Sequence, residues 1–170
     1  MSNIFDKYFD ADKLEETNES GNNTYVRPSR YIAEIMRVEM KQNRNEEDIF
    51  VIEMRVLKIL SEVLRTAEDK ATSPNAVGTK MSQVIKFAGG GKDMALPNIK
   101  GFMNAAVPPF RTYDGKQQKE AIAFAASKEE PLKGVVLEVD AAAILTKGSK
   151  KDFTQVRYER SLSPEEVAAL

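Results

Sequence analysis

The sequence predicts a mostly β fold with a helical insert, and three observations carry that expectation. Apolar residues recur at every second position in five separate stretches. Polar or glycine-rich turns separate those stretches, and 3.6-residue spacing interrupts them between the third and the fourth.

The first strand is expected over residues 31–41 (YIAEIMRVEMK). Strict alternation there puts Ile32, Met36, Val38 and Met40 on one face with Glu34, and Tyr31, Ile35, Arg37 and Lys41 on the other. Residues 42–48 (QNRNEED) form a polar turn, and residues 49–59 (IFVIEMRVLKI) alternate again. Phe50, Ile52, Met54 and Val56 share one face there, while Glu53 and Arg55 share the other, so the pair reads as a long hairpin. A helical reading of 49–67 competes, because Leu57, Leu60, Val63 and Leu64 also fit helical spacing. The alternation favours a strand to about Ile59, a short helix or irregular segment to Ala67, and a turn over 69–75.

A third strand follows at 78–87 (GTKMSQVIKF), with Lys80, Ser82, Val84 and Lys86 on one face, Met81, Ile85 and Phe87 on the other, and Gly89, Gly90 and Gly91 ending it. Ile99, Phe102, Met103 and Ala106 then make a helical stripe, with Pro97 suited to the first helical position and Pro108 and Pro109 as the stop. A second helix is expected over 117–128, strands over 133–140 and 153–160, and a short closing helix after the capping-box pattern Ser163-Pro-Glu-Glu166. Five strands with a helix between the third and fourth is the element order of an OB-fold, a five-stranded Greek-key barrel.

Composition narrows the chemistry. The 170 residues are ample for one core and contain no His, Cys or Trp. That removes disulfides, zinc knuckles, thiol nucleophiles, Ser-His-Asp triads and imidazole acid–base catalysis. Binding without a cofactor or metal is the expectation, and the chain is read as no enzyme. No secretory leader and no long apolar run is evident, so a cytoplasmic protein with no membrane partner is expected.

Charge is segregated along the chain. Residues 1–23 hold Asp6, Asp10, Asp12, Glu15, Glu16 and Glu19 against Lys7 and Lys13, a net of −4. Residues 161–170 add Glu165 and Glu166, a net of −2, which leaves residues 24–160 at +5 within an overall balance of −1. The expected organisation is therefore an acidic N-terminal segment (1–23) carrying Ile4, Phe5, Tyr8, Phe9 and Leu14, a basic domain (24–160), and a short C-terminal helix or tail (161–170).

A single-strand binder needs cations along the phosphate path and aromatic faces for the bases. The candidates are Tyr31, Arg37 and Lys41 on the first strand, Arg55 on the second, Lys80 and Lys86 on the third, and Arg157 on the last with Phe153 in phase. Phe87, Lys92 and Arg111 sit near turns expected to rim the same surface. The run Gly89-Gly-Gly-Lys92 lacks the spacing of a phosphate loop, since Asp93 follows the lysine, and reads as a joint. Glu138 and Asp140, two apart on one strand, are the candidate pair for a metal-dependent nuclease.

From about Tyr31 to Tyr158 the chain resembles phage-encoded single-stranded DNA-binding proteins of the OB-fold type. The resembling features are the hairpin around Arg44, the strand at 78–87, the helix 95–103 (ALPNIKGFM) with its Asn98-Ile-Lys-x-Phe102 core, and the strand 153–158 (FTQVRY). The resemblance implies coating of single-stranded DNA during phage replication or recombination, in the host cytoplasm, beside replication or recombination proteins. The C-terminus departs from the pattern, with two acids and no terminal aromatic residue. A phage structural or assembly protein acting through protein contacts is the alternative, and a homodimer is expected from the long strand edges.

Overall fold

The computed structural model describes residues 25–61, 64–65, 71–90, 92–145 and 152–170, with backbone alone at 64–65, 71–72, 145 and 152–153. The acidic segment 1–23, Gly91 and the expected segment around 62–70 lie largely or wholly outside the described residues.

Strands β1 (Ser29–Gln42) and β2 (Asp48–Ser61) form the long antiparallel hairpin. Its turn is closed by Asn43, whose Oδ1 accepts from the backbone N–H groups of Asn45 (2.9 Å) and Glu47 (3.0 Å). Such side-chain capping is why Asn favours turns. The helical reading of 49–67 is overturned, since β2 runs to Ser61 and the two-residue strands β3 (Leu64–Arg65) and β4 (Ala71–Thr72) pair with each other.

Next come β5 (Lys80–Lys86), α1 (Lys92–Ala106), a 3₁₀ helix at Pro108–Thr112, α2 (Gly115–Ala125), β6 (Val136–Leu145), β7 (Asp152–Ser161) and α3 (Pro164–Ala168). Helix α1 begins earlier than expected, so Pro97 lies inside it and not at its first position. Only one early backbone bond, to the carbonyl of Asp93, is forfeited there. Pro108 and Pro109 end α1 but open the 3₁₀ helix. Both other helices start on capping boxes, Asp114 with Gln117 and Ser163 with Glu166.

All five long strands join one antiparallel sheet in the order β5-β2-β1-β6-β7. Among the described residues the fold is mostly β with three α-helices, consistent with an OB-like architecture. The expected closed barrel is not formed, because β5 and β7 stand as the two edges of the sheet with no ladder between them. Helix α1 packs against both of them. Its buried Ile99, Phe102 and Met103 meet Phe50, Ile52 and Met54 of β2, Met81 of β5 and Val156 of β7 in a single core.

Aromatic packing and one hydrogen bond draw the two edges together. Phe102 meets Tyr158 of β7 edge-to-face at 5.1 Å between ring centroids and Phe50 of β2 at 6.4 Å. The Tyr158 hydroxyl donates to Gln83 Oε1 on β5 at 2.6 Å. Edge-to-face pairs contribute about 0.5–1.5 kcal/mol each beyond burial.

Three irregularities decide which side chains enter the core. β1 carries an extra residue at Met36, between the pairs Ile35↔Met54 and Arg37↔Glu53. The β2 strand carries extra residues at Leu57 and Leu60, opposite shifts at Ile32/Ala33 and Arg30/Tyr31. A bulge reverses the alternation beyond it. Consequently Tyr31, Ala33 and Ile35 face the helices together with Val38, and the expected sharing of one face by Ile32, Met36, Val38 and Met40 is corrected.

Burial pushes the Tyr158 hydroxyl far above the ordinary phenol range, so it stays a neutral donor. A raised folded-state value means that stability is intact below the unfolded value of 10.0 and declines as pH climbs above it. Tyr158→Phe is expected to cost about 1–2 kcal/mol at neutral pH, through loss of the Gln83 hydrogen bond. It should also decline less steeply than the parent above pH 10. Denaturant unfolding from pH 7 to 11 measures both, and parallel alkaline declines would contradict this placement of the hydroxyl.

Candidate nucleic-acid interface

With α1, the 3₁₀ helix and α2 packed on one side, the sheet presents a second side, the outer face. Directly paired residues on neighbouring strands point to the same side, so the register reads out as rows across the sheet. At the hairpin-turn end one row holds Lys86 of β5, Ile49 of β2 and Lys41 of β1. The next holds Val84, Val51 and Glu39. Then come Ser82, Glu53 and Arg37, followed by Lys80, Arg55 and Glu34. Beyond the β2 bulges the rows pass to the other half of the sheet, as Lys58, Ile32, Glu138 and Arg160, and finally Arg30, Asp140 and Arg157.

Five of the sequence candidates, Arg37, Lys41, Arg55, Lys80 and Lys86, are thus brought together on β1, β2 and β5. Arg157 shares their face from the far edge, where it borders a cavity of about 310 Å³ between α1 and β7. Between these cations the apolar residues Ile32, Ile49 and Val51 are buried, while Arg37, Lys41 and Lys86 are exposed and Arg55 and Lys80 half-buried.

The remaining candidates are placed elsewhere. Tyr31 is 0% exposed on the core side, because the bulge at Met36 separates its phase from that of Arg37 and Lys41. Its hydroxyl accepts from the Asn75 backbone N–H at 3.0 Å and lies 2.9 Å from the Arg27 carbonyl oxygen and 3.0 Å from Asn75 Oδ1. Burial raises its pKa above the ordinary phenol value, partly offset by the Asn75 backbone bond. Phe87 is half-buried and packs against the core. Lys92 opens α1 and Arg111 lies in the last turn of the 3₁₀ helix, both exposed in the helical layer and not on the outer face. Phe153 pairs with Ile144 in the backbone register, and its side chain lies outside the described residues.

Acids are interleaved with the cations. Glu39 pairs with Lys41 at 2.7 Å and with Arg37 at 3.7 Å, and Glu130 approaches Arg37 at 3.8 Å. Glu53 pairs with Lys80 at 3.6 Å. The cations are 41–57% exposed and the acids 22–33%, so solvent still screens each pair, which is worth about 0–1 kcal/mol. Along these rows Arg37, Lys41, Arg55, Lys80 and Lys86 outnumber Glu34, Glu39 and Glu53, which leaves local positive charge.

The other half of the face carries the same excess of two cations, Lys58, Arg30, Arg157 and Arg160 against Glu138 and Asp140. Glu138 lies between Arg30 at 3.0 Å and Arg160 at 3.3 Å, and Arg160 also reaches Glu166 at 2.8 Å. The Ser163 backbone N–H, then Arg160, hold Glu166 below the usual carboxylate range. Glu138 is therefore occupied by arginines, and no group of three acids among the described residues is arranged to hold a metal ion. No helix among the described residues is long and apolar enough to cross a membrane.

One aromatic residue on this face is missed by the periodicity. Tyr25 forms a parallel bridge with Ser82 on β5 and is 69% exposed. The only local signal is the strand-favouring trio Thr24-Tyr25-Val26 before Pro28, too short to register as a strand.

Compared with known proteins, the chain matches no family model and no curated protein.

Freeing the paired cations is expected to strengthen polyanion binding. The double variant Glu39→Gln with Glu53→Gln should elute from heparin at higher salt than a control of equal charge, Glu120→Gln with Glu129→Gln, whose acids are exposed around α2. Equal elution of the two variants would show that the outer face has no special role in binding anions.

Proposed function

We propose that this protein binds single-stranded DNA along the outer face of β1, β2 and β5, with little sequence preference and no catalytic step. The observation that carries the reading is the gathering of Arg37, Lys41, Arg55, Lys80 and Lys86 on that face. Cations spaced across three strands suit a phosphate backbone, and release of condensed counterions supplies the affinity. The buried Ile49 and Val51 between them form an apolar floor that bases tolerate and a bare ion does not need.

The OB-type reading of the fold supports the same surface. In that reading β1, β2, β5, β6 and β7 are the five barrel strands, with α1 between the third and fourth and the Tyr158–Gln83 bond bridging the first and last edges. OB-folds bind oligonucleotides on the face of the second and third strands and on the loops joining strands one to two and four to five. Here the first of those loops corresponds to the turn around Arg44, while residues 146–151 lie outside the described residues. Protection or organisation of single strands in replication or recombination is the role that such binding serves.

Anisotropy titration of labelled oligo-dT at several salt concentrations tests this. Five phosphate contacts predict a slope of about −3.5 in log affinity against log salt, since single strands give about −0.7 per contact. Lys86→Ala should reduce that slope by about 0.7. Absence of binding at low salt overturns the reading, and with a large salt-insensitive oligomer it favours an assembly protein. Cleavage of the strand in Mg²⁺ or Mn²⁺ favours a nuclease.

A further inference from the structure

We infer that Tyr25 is the residue on which a base of the bound strand stacks, an assignment that rests on the single-strand reading above. Stacking needs an aromatic ring with an accessible face beside the phosphate path. Tyr31, Phe50, Phe102 and Phe110 are wholly buried, while Phe87, Tyr113 and Tyr158 are half-buried against the core. Phe124 is 53% exposed but belongs to α2 in the helical layer. Among the described side chains, Tyr25 is the exposed aromatic residue that the sheet itself carries.

Its direction follows from its pairing. Bridged residues on adjacent strands point to the same side, and Ser82 lies on the outer face between Lys80 and Val84. Alternation agrees, since the next residue, Val26, is 6% exposed within the core. Tyr25 therefore extends the row Ser82, Glu53, Arg37 at the β5 edge, with Lys80 one row away on the same face.

The backbone beneath the ring is held while the ring is free. The Val26 N–H donates to the Ser82 carbonyl at 3.2 Å, and Asn75 Nδ2 donates to the Tyr25 carbonyl at 3.1 Å. Asn75 Oδ1 accepts from the Arg27 N–H at 2.9 Å, and Asn75 is itself fixed by Tyr31. A ring on an anchored backbone loses little conformational freedom when a base covers it. Tyr31, expected as a stacking platform, thus acts from the core by holding the segment that presents Tyr25.

The chain contains no Trp, so Tyr25→Trp introduces a single indole reporter. Oligo-dT is expected to quench its emission along the same isotherm as the anisotropy of the labelled strand. Tyr25→Phe should bind as the parent does. Tyr25→Ala should bind roughly 5- to 100-fold more weakly with an unchanged salt slope, as loss of stacking and not of charge requires. Its thermal unfolding should match the parent, because the side chain is exposed. If the parent binds oligo-dT while the indole is not quenched, or Tyr25→Ala binds equally well, the assignment fails and the single-strand reading stands. If the parent does not bind at low salt, both fail.

Discussion

The seating of Phe102 between Phe50 and Tyr158 organises the molecule. By clamping α1 against β2 and β7 it commits one side of the sheet to the core. A buried Phe in such a site contributes about 3–5 kcal/mol against truncation to Ala. Once that side is filled, every second residue of the five strands is turned the other way. The outer face is what remains of the sheet after the helix has taken its share, and its chemistry is charged because the strands alternate.

Mixed charge on that face is a consequence of the same economy of position. Glu39 and Glu53 stand next to Arg37, Lys41 and Lys80 and keep neighbouring cations from repelling one another in the unliganded protein. Exposed pairs of this kind are weak, so a phosphate meets little resistance in replacing a carboxylate. The β6–β7 half, with Glu138 shared by Arg30 and Arg160, is a closed network by comparison. Each half carries two more cations than acids along its rows, and the β1, β2 and β5 half is the one that Tyr25 extends at its edge.

Much of this was legible in the sequence, and the failures have specific causes. Period two locates the five long strands, and it puts Arg37 with Lys41 and Lys80 with Lys86 on one face because each pair lies an even number of residues apart, with Arg55 opposite Met54 and Val56. It misassigned Tyr31, since an extra residue at Met36 is apolar and looks in phase with its neighbours. Bulges depend on the partner strand and leave no local mark. Lys92 and Arg111 were misplaced because the position of residues beside turns is set by how α1 and the 3₁₀ helix pack. Tyr25 was missed because two residues paired to a distant strand carry no periodicity.

The central claim is that the outer face of β1, β2 and β5 is where a single strand lies. Amide chemical-shift mapping during addition of unlabelled oligo-dT tests it most directly. The account predicts perturbations centred on Arg37, Lys41, Arg55, Ser82 and Lys86, with α1 and α2 largely unmoved. Perturbations confined to the helical layer around Lys92, Arg111 and Phe124 would contradict it.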